Sequence, residues 1–265
     1  MDRLFDTHAH YSDGKFAASG IDVDALLPSL FSDGLAGIVN VGTNPDTSEQ
    51  AVEMAKRYPA MFASVGLHPE DHCQRGTLAS DLERLEKMLR SAEENKIVAI
   101  GEIGLDYYWD RDHVAEQKEC LDIQLSLAEQ YQLPVIIHDR EAHGDCMEAV
   151  FRHPGVRGVF HSFSGSPEMA RELFRRGWYI SFSGVVTFPN AKKAREAART
   201  VPDEFLLIET DCPYLSPVPH RGECNHSGYM QHTLEVLAEL RKTGREALAE
   251  RLCRNAGELF SGITL

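Results

Sequence analysis

The stretch RLFDTHAHYSDGKF, Arg3–Phe16, sets two histidines one residue apart just after a short apolar run. In an extended strand alternate side chains share a face, so His8 and His10 project together with Asp6 in line behind them. Beyond them the chain turns polar and reaches Gly14. Two imidazoles side by side suggest a metal, but a metal site needs further donors from elsewhere in the chain. The fold therefore turns on whether other short apolar runs recur and end in the same kind of residue.

Such runs do recur. RLFD, AGIVNVG, MFASVG, KIVAIGE, PVIIHD, GVFHS, WYISFSG and FLLIETD are all short apolar runs in which β-branched residues recur. Between them lie segments with apolar residues at helical spacing, among them IDVDALLPSLFSDG, TSEQAVEMAKRY, LASDLERLEKMLRSAEEN, VAEQKECLDIQLSLAEQYQ and SPEMARELFRRG. Strands alternating with helices over 265 residues predict an α/β protein, a (β/α)8 TIM barrel, for which about 250 residues is typical. A doubly wound open sheet shares the alternation, but the first strand is not followed by a GxGxxG turn. Residues 227–265 read as terminal helices, and no linker or low-complexity tract interrupts the chain, so a single domain over 1–265 is expected.

Charge and composition narrow the function. Asp and Glu number 41 against 27 Lys and Arg, a formal net charge of −14, which disfavours a long duplex-binding groove. A local pocket rich in metal and arginine can still hold a phosphate on an acidic protein. No window approaches the ~18 uninterrupted apolar residues of a membrane span, so no membrane association is expected. MDRLF leads straight into a strand without the regions of a signal peptide, and six scattered cysteines (73, 120, 146, 212, 224, 253) read as free thiols. Both features predict a cytoplasmic protein.

The ends of the other strands carry metal-competent or phosphate-competent groups: His68 in SVGLHPE, Glu102 in AIGEIGLDYYWD, His138 and Arg140 in PVIIHDR, His161 in GVFHSFSG, and Glu209 and Asp211 in LLIETDCPYL. Active sites of such barrels lie at the C-terminal ends of the strands. The motifs DTHAH, GLHPE, GEIGLDYYWD, LPVIIHDR, FHSFSG and ETDCPYL, in this order over residues 6–215, resemble those of the TatD family of metal-dependent deoxyribonucleases, within the amidohydrolase-like barrels. PHRGECNHSGY continues the likeness to residue 229.

The resemblance implies a hydrolytic site with two divalent cations, Zn, Mn or Mg, and a metal-activated water as nucleophile. His8 and His10 would bind one ion together with Asp211, His138 and His161 would bind the second, and Glu102 would bridge them. Asp211 can hold the proton of the water, so Asp211 and Glu102 are the expected catalytic residues. His68, Arg140, Ser164, Arg221 and Asn225 are candidates for binding phosphate oxygens, and Glu209 for orienting a histidine. The implied substrate is an end of DNA or a short oligonucleotide, and no obligate protein partner is readable. An amidase, an aminoacyl-ester hydrolase on tRNA, and a metal-binding barrel acting mainly in a complex are the alternatives on the same scaffold. One departure stands out: where the family loop reads like RGxxNEP, this chain has His226 and Ser227 in place of the acid and the proline.

Overall fold

The computed structural model describes residues 2–72 and 76–263; Cys73 lies outside them. All eight apolar runs are strands: β1 Phe5–Ala9, β2 Gly37–Val41, β3 Met61–Val65, β4 Ile97–Asp106, β5 Val135–Arg140, β6 Gly158–Phe160, β7 Tyr179–Phe182 and β8 Leu206–Ile208. They form one sheet in chain order from β1 to β8, and the pairs β3/β4, β4/β5, β5/β6 and β7/β8 are parallel. The chain returns to β1 where Asp211 N donates to His8 O and His10 N donates to Cys212 O. This is the topology of the (β/α)8 barrel. Every residue of β1 to β4 is buried, as in strands covered on both faces, and the polar members of these strands, Asp6, His8, Asn40, Ser64, Glu102 and Asp106 among them, are buried with the apolar ones.

The helices start where local chemistry starts them. Asn44 accepts from Thr47 N, and Thr47 Oγ1 accepts in return from Asn44 N, a reciprocal cap with Pro45 in the first turn of helix Pro45–Arg57. Ser166 caps Pro167–Phe174 one way, its hydroxyl oxygen accepting from Met169 N, and Asp22 caps Val23–Ser32 by accepting from Asp24 N and Ala25 N. The terminal segment holds helices Met230–Arg241 and Arg245–Leu259. Among the described residues no helix is long and apolar enough to cross a membrane.

By proximity along the backbone the chain groups into two compact units, Met1–Val39 with His161–Glu258, and Asn40–Phe160 with Leu259–Ile263. The first is filled by Phe5, Phe16, Phe182 and Leu207, the second by Met61, Ile100, Ile103 and Val135–Ile137, all buried. In the second unit β4 runs four residues beyond Glu102, pairing Gly104, Leu105 and Asp106 with His138, Asp139 and Arg140. Glu102 thus lies inside the strand and not at its end. Gly104 permits this: its φ is +152°, and a Cβ there would collide with the His138 carbonyl oxygen.

Candidate metal centre

In the first unit β1 and the segment after β8 bring three donors together. His8 Nε2 lies 2.9 Å from His10 Nε2 and 3.7 Å from Asp211 Oδ1, and His10 Nε2 lies 3.4 Å from the same oxygen. An ion bound at about 2.0–2.2 Å by nitrogen and oxygen sets its ligands about 2.9–3.6 Å apart, so two of these edges fit one ion and the third, at 3.7 Å, lies just beyond that span. Asp211 reaches the site from a left-handed backbone, φ +57°, a conformation Asp tolerates better than most residues. Burial works against its charge, yet the hydrogen bond from His10 and the neighbouring imidazoles hold its carboxyl below the ordinary range.

His161, just past β6, stacks on His8 with ring centroids 4.0 Å apart. Its Nδ1 lies 3.3 Å from Glu209 Oε1, which also accepts from Ser162 N at 2.7 Å. Glu209 is thus placed to orient His161: with the proton on Nδ1, the lone pair of His161 would be on Nε2. The other oxygen, Glu209 Oε2, is buried without a hydrogen-bond partner, a cost that a nearby cation would offset.

Behind β1, Asp6 is fully buried and accepts from Thr210 N at 3.0 Å, Thr210 Oγ1 at 2.6 Å and Ser227 Oγ at 2.7 Å. Burial still pushes its carboxyl up to about 7. Ser227 Oγ also meets Tyr11 Oη at 2.8 Å, and Ser227 N donates to that phenol oxygen at 3.0 Å. The departure from the family loop thus lands on a buried polar network that ties residues 225–229 to the strand bearing His8.

In the second unit the donors are Glu102, His138 and His68. His138 Nδ1 lies 2.8 Å from Glu102 Oε1, and His68 Nε2 lies 3.5 Å from the same oxygen. The far nitrogen of His138, Nε2, is 2.9 Å from Asp106 Oδ2. With the proton on Nε2, donated to Asp106, the Nδ1 lone pair would face Glu102, an arrangement that a cation shared by the two groups would make favourable. Sequence reasoning passed over Asp106, although it lies in the quoted motif at an even spacing from Glu102 and so on the same strand face. His68, expected at the phosphate, is placed among nitrogen donors. Both groups have the nitrogen and carboxylate chemistry that suits zinc or manganese better than magnesium.

The remaining candidates divide. Arg140 is exposed at the end of β5, its guanidinium 4.0 Å above the Tyr108 ring, and Arg221 sits 3.8 Å from the Phe188 ring. Neither arginine pairs with a carboxylate among the described residues. Ser164 is exposed in the turn after β6. Asn225 is the correction: it is buried, and its amide hydrogens go to the carbonyls of Thr210 at 3.0 Å and Tyr214 at 2.6 Å, leaving no donor for a substrate. It braces the segment that carries Asp211.

His226 caps the short turn Ser227–Tyr229, its Nδ1 accepting from Gly228 N at 3.2 Å. Burial, with His220 nearby, lowers its pKa from 6.5 to about 4. The fold therefore holds it neutral, so its contribution to stability is complete above pH 6.5 and is lost as the pH falls toward about 4. His226→Asn keeps a capping acceptor without the titration. The variant should lose on the order of 2 kcal/mol less stability than the parent between pH 7 and 4.5, after discounting for partial exposure. Urea midpoints at both pH values measure this, and identical slopes would sink it.

The profile of a family described as TatD related DNase matches residues 5–261. The metal-dependent hydrolase YabD of Bacillus subtilis, whose own function is uncharacterized, is 39% identical over 260 residues, 97% of this chain and 98% of that protein. Likewise uncharacterized, the hydrolase YjjV of Escherichia coli is 34% identical over 263 residues, 98% of each. The crystal structure of YjjV, a TatD homologue, superposes with a TM-score of 0.87 over 98% of both chains. At 16% identity an organophosphorus hydrolase variant from Deinococcus radiodurans shares the fold, with a TM-score of 0.63 over 97% of this chain and 93% of that one.

Proposed function

The chain belongs to the TatD-related metal-dependent hydrolases, and from that premise we propose that it hydrolyses phosphodiester bonds at the ends of single-stranded or frayed DNA and of short oligonucleotides, using two divalent ions. The donor groups carry this reading: His8, His10 and Asp211 converge at 2.9 to 3.7 Å, and Glu102 receives His138 and His68 at 2.8 and 3.5 Å. His161 adds an Nε2 freed for ligation by Glu209. When bound, such ions supply Lewis acidity at the phosphoryl oxygens and lower the pKa of an attacking water.

The chain's own residues do the rest. The ionised carboxylate of Asp211 can take the proton released by the water. Asp106 and Glu209 hold the imidazoles of His138 and His161 in the ligating tautomer. Arg140 and Arg221, cations with no carboxylate pairing them among the described residues, favour an anionic substrate over an amide or an ester.

Acidic residues outnumber basic ones by 14 over the whole chain, which argues against a long backbone-tracking groove and for a footprint of one or two phosphates. Zinc- or manganese-loaded protein should trim end-labelled single-stranded DNA. The logarithm of affinity should fall with the logarithm of salt at a slope no steeper than about −2. A covalently closed circle should survive, since it offers no end. Rapid cutting of the circle would overturn end specificity, and cleavage of an aminoacyl ester with DNA untouched would overturn the nuclease reading.

A further inference from the structure

Residues 107–111 follow β4 as a turn that is tightly stitched. Asp106 Oδ1 accepts from Tyr108 N and from Trp109 N, both at 2.9 Å. Gln117, buried in helix Val114–Tyr131, donates to the carbonyls of Asp106 and Asp110 and accepts from Asp106 N. Arg111 Nε closes the turn on Tyr107 O. On this fixed frame stand two of the most exposed large apolar side chains among the described residues, Tyr108 at 51% and Trp109 at 62%. Their rings meet edge to face at 4.8 Å, and the Arg140 guanidinium lies 4.0 Å from the Tyr108 centroid and 5.4 Å from that of Trp109.

A rigid turn that holds an indole and a phenol in water is using neither for the core. Wide exposed aromatic surface beside an unneutralised cation is what a protein offers to a ligand with a flat ring and a negative charge. Asp106 adds a positional argument. One of its oxygens anchors the two aromatic residues and the other orients His138, so the rings are held in register with a metal donor. Arg140 lies two residues beyond His138 in β5 and shares its face.

We infer that Tyr108, Trp109 and Arg140 form a nucleobase-stacking subsite, in which an unpaired base lies on the open face of Trp109 while Arg140 meets the adjoining phosphate. The inference rests on the phosphodiester reading and deepens it: a base must leave its duplex partner before it can stack, so the preferred substrate is single-stranded or frayed at its end. Base-on-aromatic stacking tolerates any sequence because every base has a π face, which predicts weak base preference.

The chain has two tryptophans, and Trp178 is buried at 3% exposure, so quenching of indole fluorescence by an added ligand reports Trp109. A single-stranded thymidine pentamer with a nuclease-resistant phosphorothioate backbone should quench it in a saturable way. The same pentamer built of abasic sugars should quench it far less. By fluorescence anisotropy of the labelled pentamer, Trp109→Ala should weaken binding about tenfold or more and Tyr108→Ala less. Trp109→Ala should also bring the hydrolysis rates of base-bearing and abasic ends closer together.

Equal quenching by the two pentamers, or unchanged affinity in Trp109→Ala, would overturn the subsite and leave the nuclease reading standing. Saturable, base-dependent quenching by a protein that cleaves no DNA would do the reverse. Self-association at micromolar concentration that Trp109→Ala abolishes would assign the rings to an interface between copies and overturn the inference.

Discussion

Glu102→Gln is expected to lower turnover about a thousandfold or more while far-UV circular dichroism stays native. The carboxylate is buried at 4% exposure and has imidazole nitrogens at 2.8 and 3.5 Å on one oxygen. Glutamine keeps its volume and its accepting oxygen but removes the negative charge that the proposed metal site would require. Bound metal, counted by plasma emission after desalting, should fall below the parent's stoichiometry. Full activity with an unchanged metal count would sink the assignment of Glu102 as a ligand.

The second large effect is at Asp211. Asn tolerates a left-handed backbone at least as well as Asp, so Asp211→Asn should preserve the turn at φ +57° and its hydrogen bond from Asp211 N to His8 O. What disappears is the group proposed to take a proton, together with one charged oxygen of the candidate metal site. Turnover should fall about a hundredfold to a thousandfold, and the acid limb of the pH–rate profile that reports the ionisation of this carboxylate should vanish. Melting within a few degrees of the parent would show that the loss is chemical. Activity within tenfold of the parent, with the acid limb intact, would give the proton-accepting role to another residue.

The eight strands were readable because each carries a short cluster of apolar residues between helical segments, and the caps at Asp22, Asn44 and Ser166 are local chemistry. Helices His143–Arg152 and Lys192–Thr200 escaped that reading. The second buries only Ala194, Ala197 and Ala198, so its apolar face is too slight to show, and the first has Gly144 in its opening turn. At the site, strand-end histidines were legible from position alone. What was not legible depends on partners distant in sequence: Asp106 orients a ring from 32 residues away, Ser227 joins Asp6 across 221, and Asn225 spends its amide on two carbonyls where its loop motif suggested a substrate contact. A motif names a residue; only packing shows which of its atoms remain unspent.

Asp106 also bears on how such an enzyme could be re-engineered. Loops at the ends of barrel strands are usually treated as exchangeable parts, grafted from one relative to another to change what the scaffold accepts. Here the turn at 107–111 is not modular. A graft that brings new side chains at 108 and 109 but displaces the carboxylate at 106 would release the imidazole of His138 at the same time, and the chimera would fail for a reason unrelated to its new recognition surface. Libraries that vary 108 and 109 while holding 106 and 117 constant avoid that confusion.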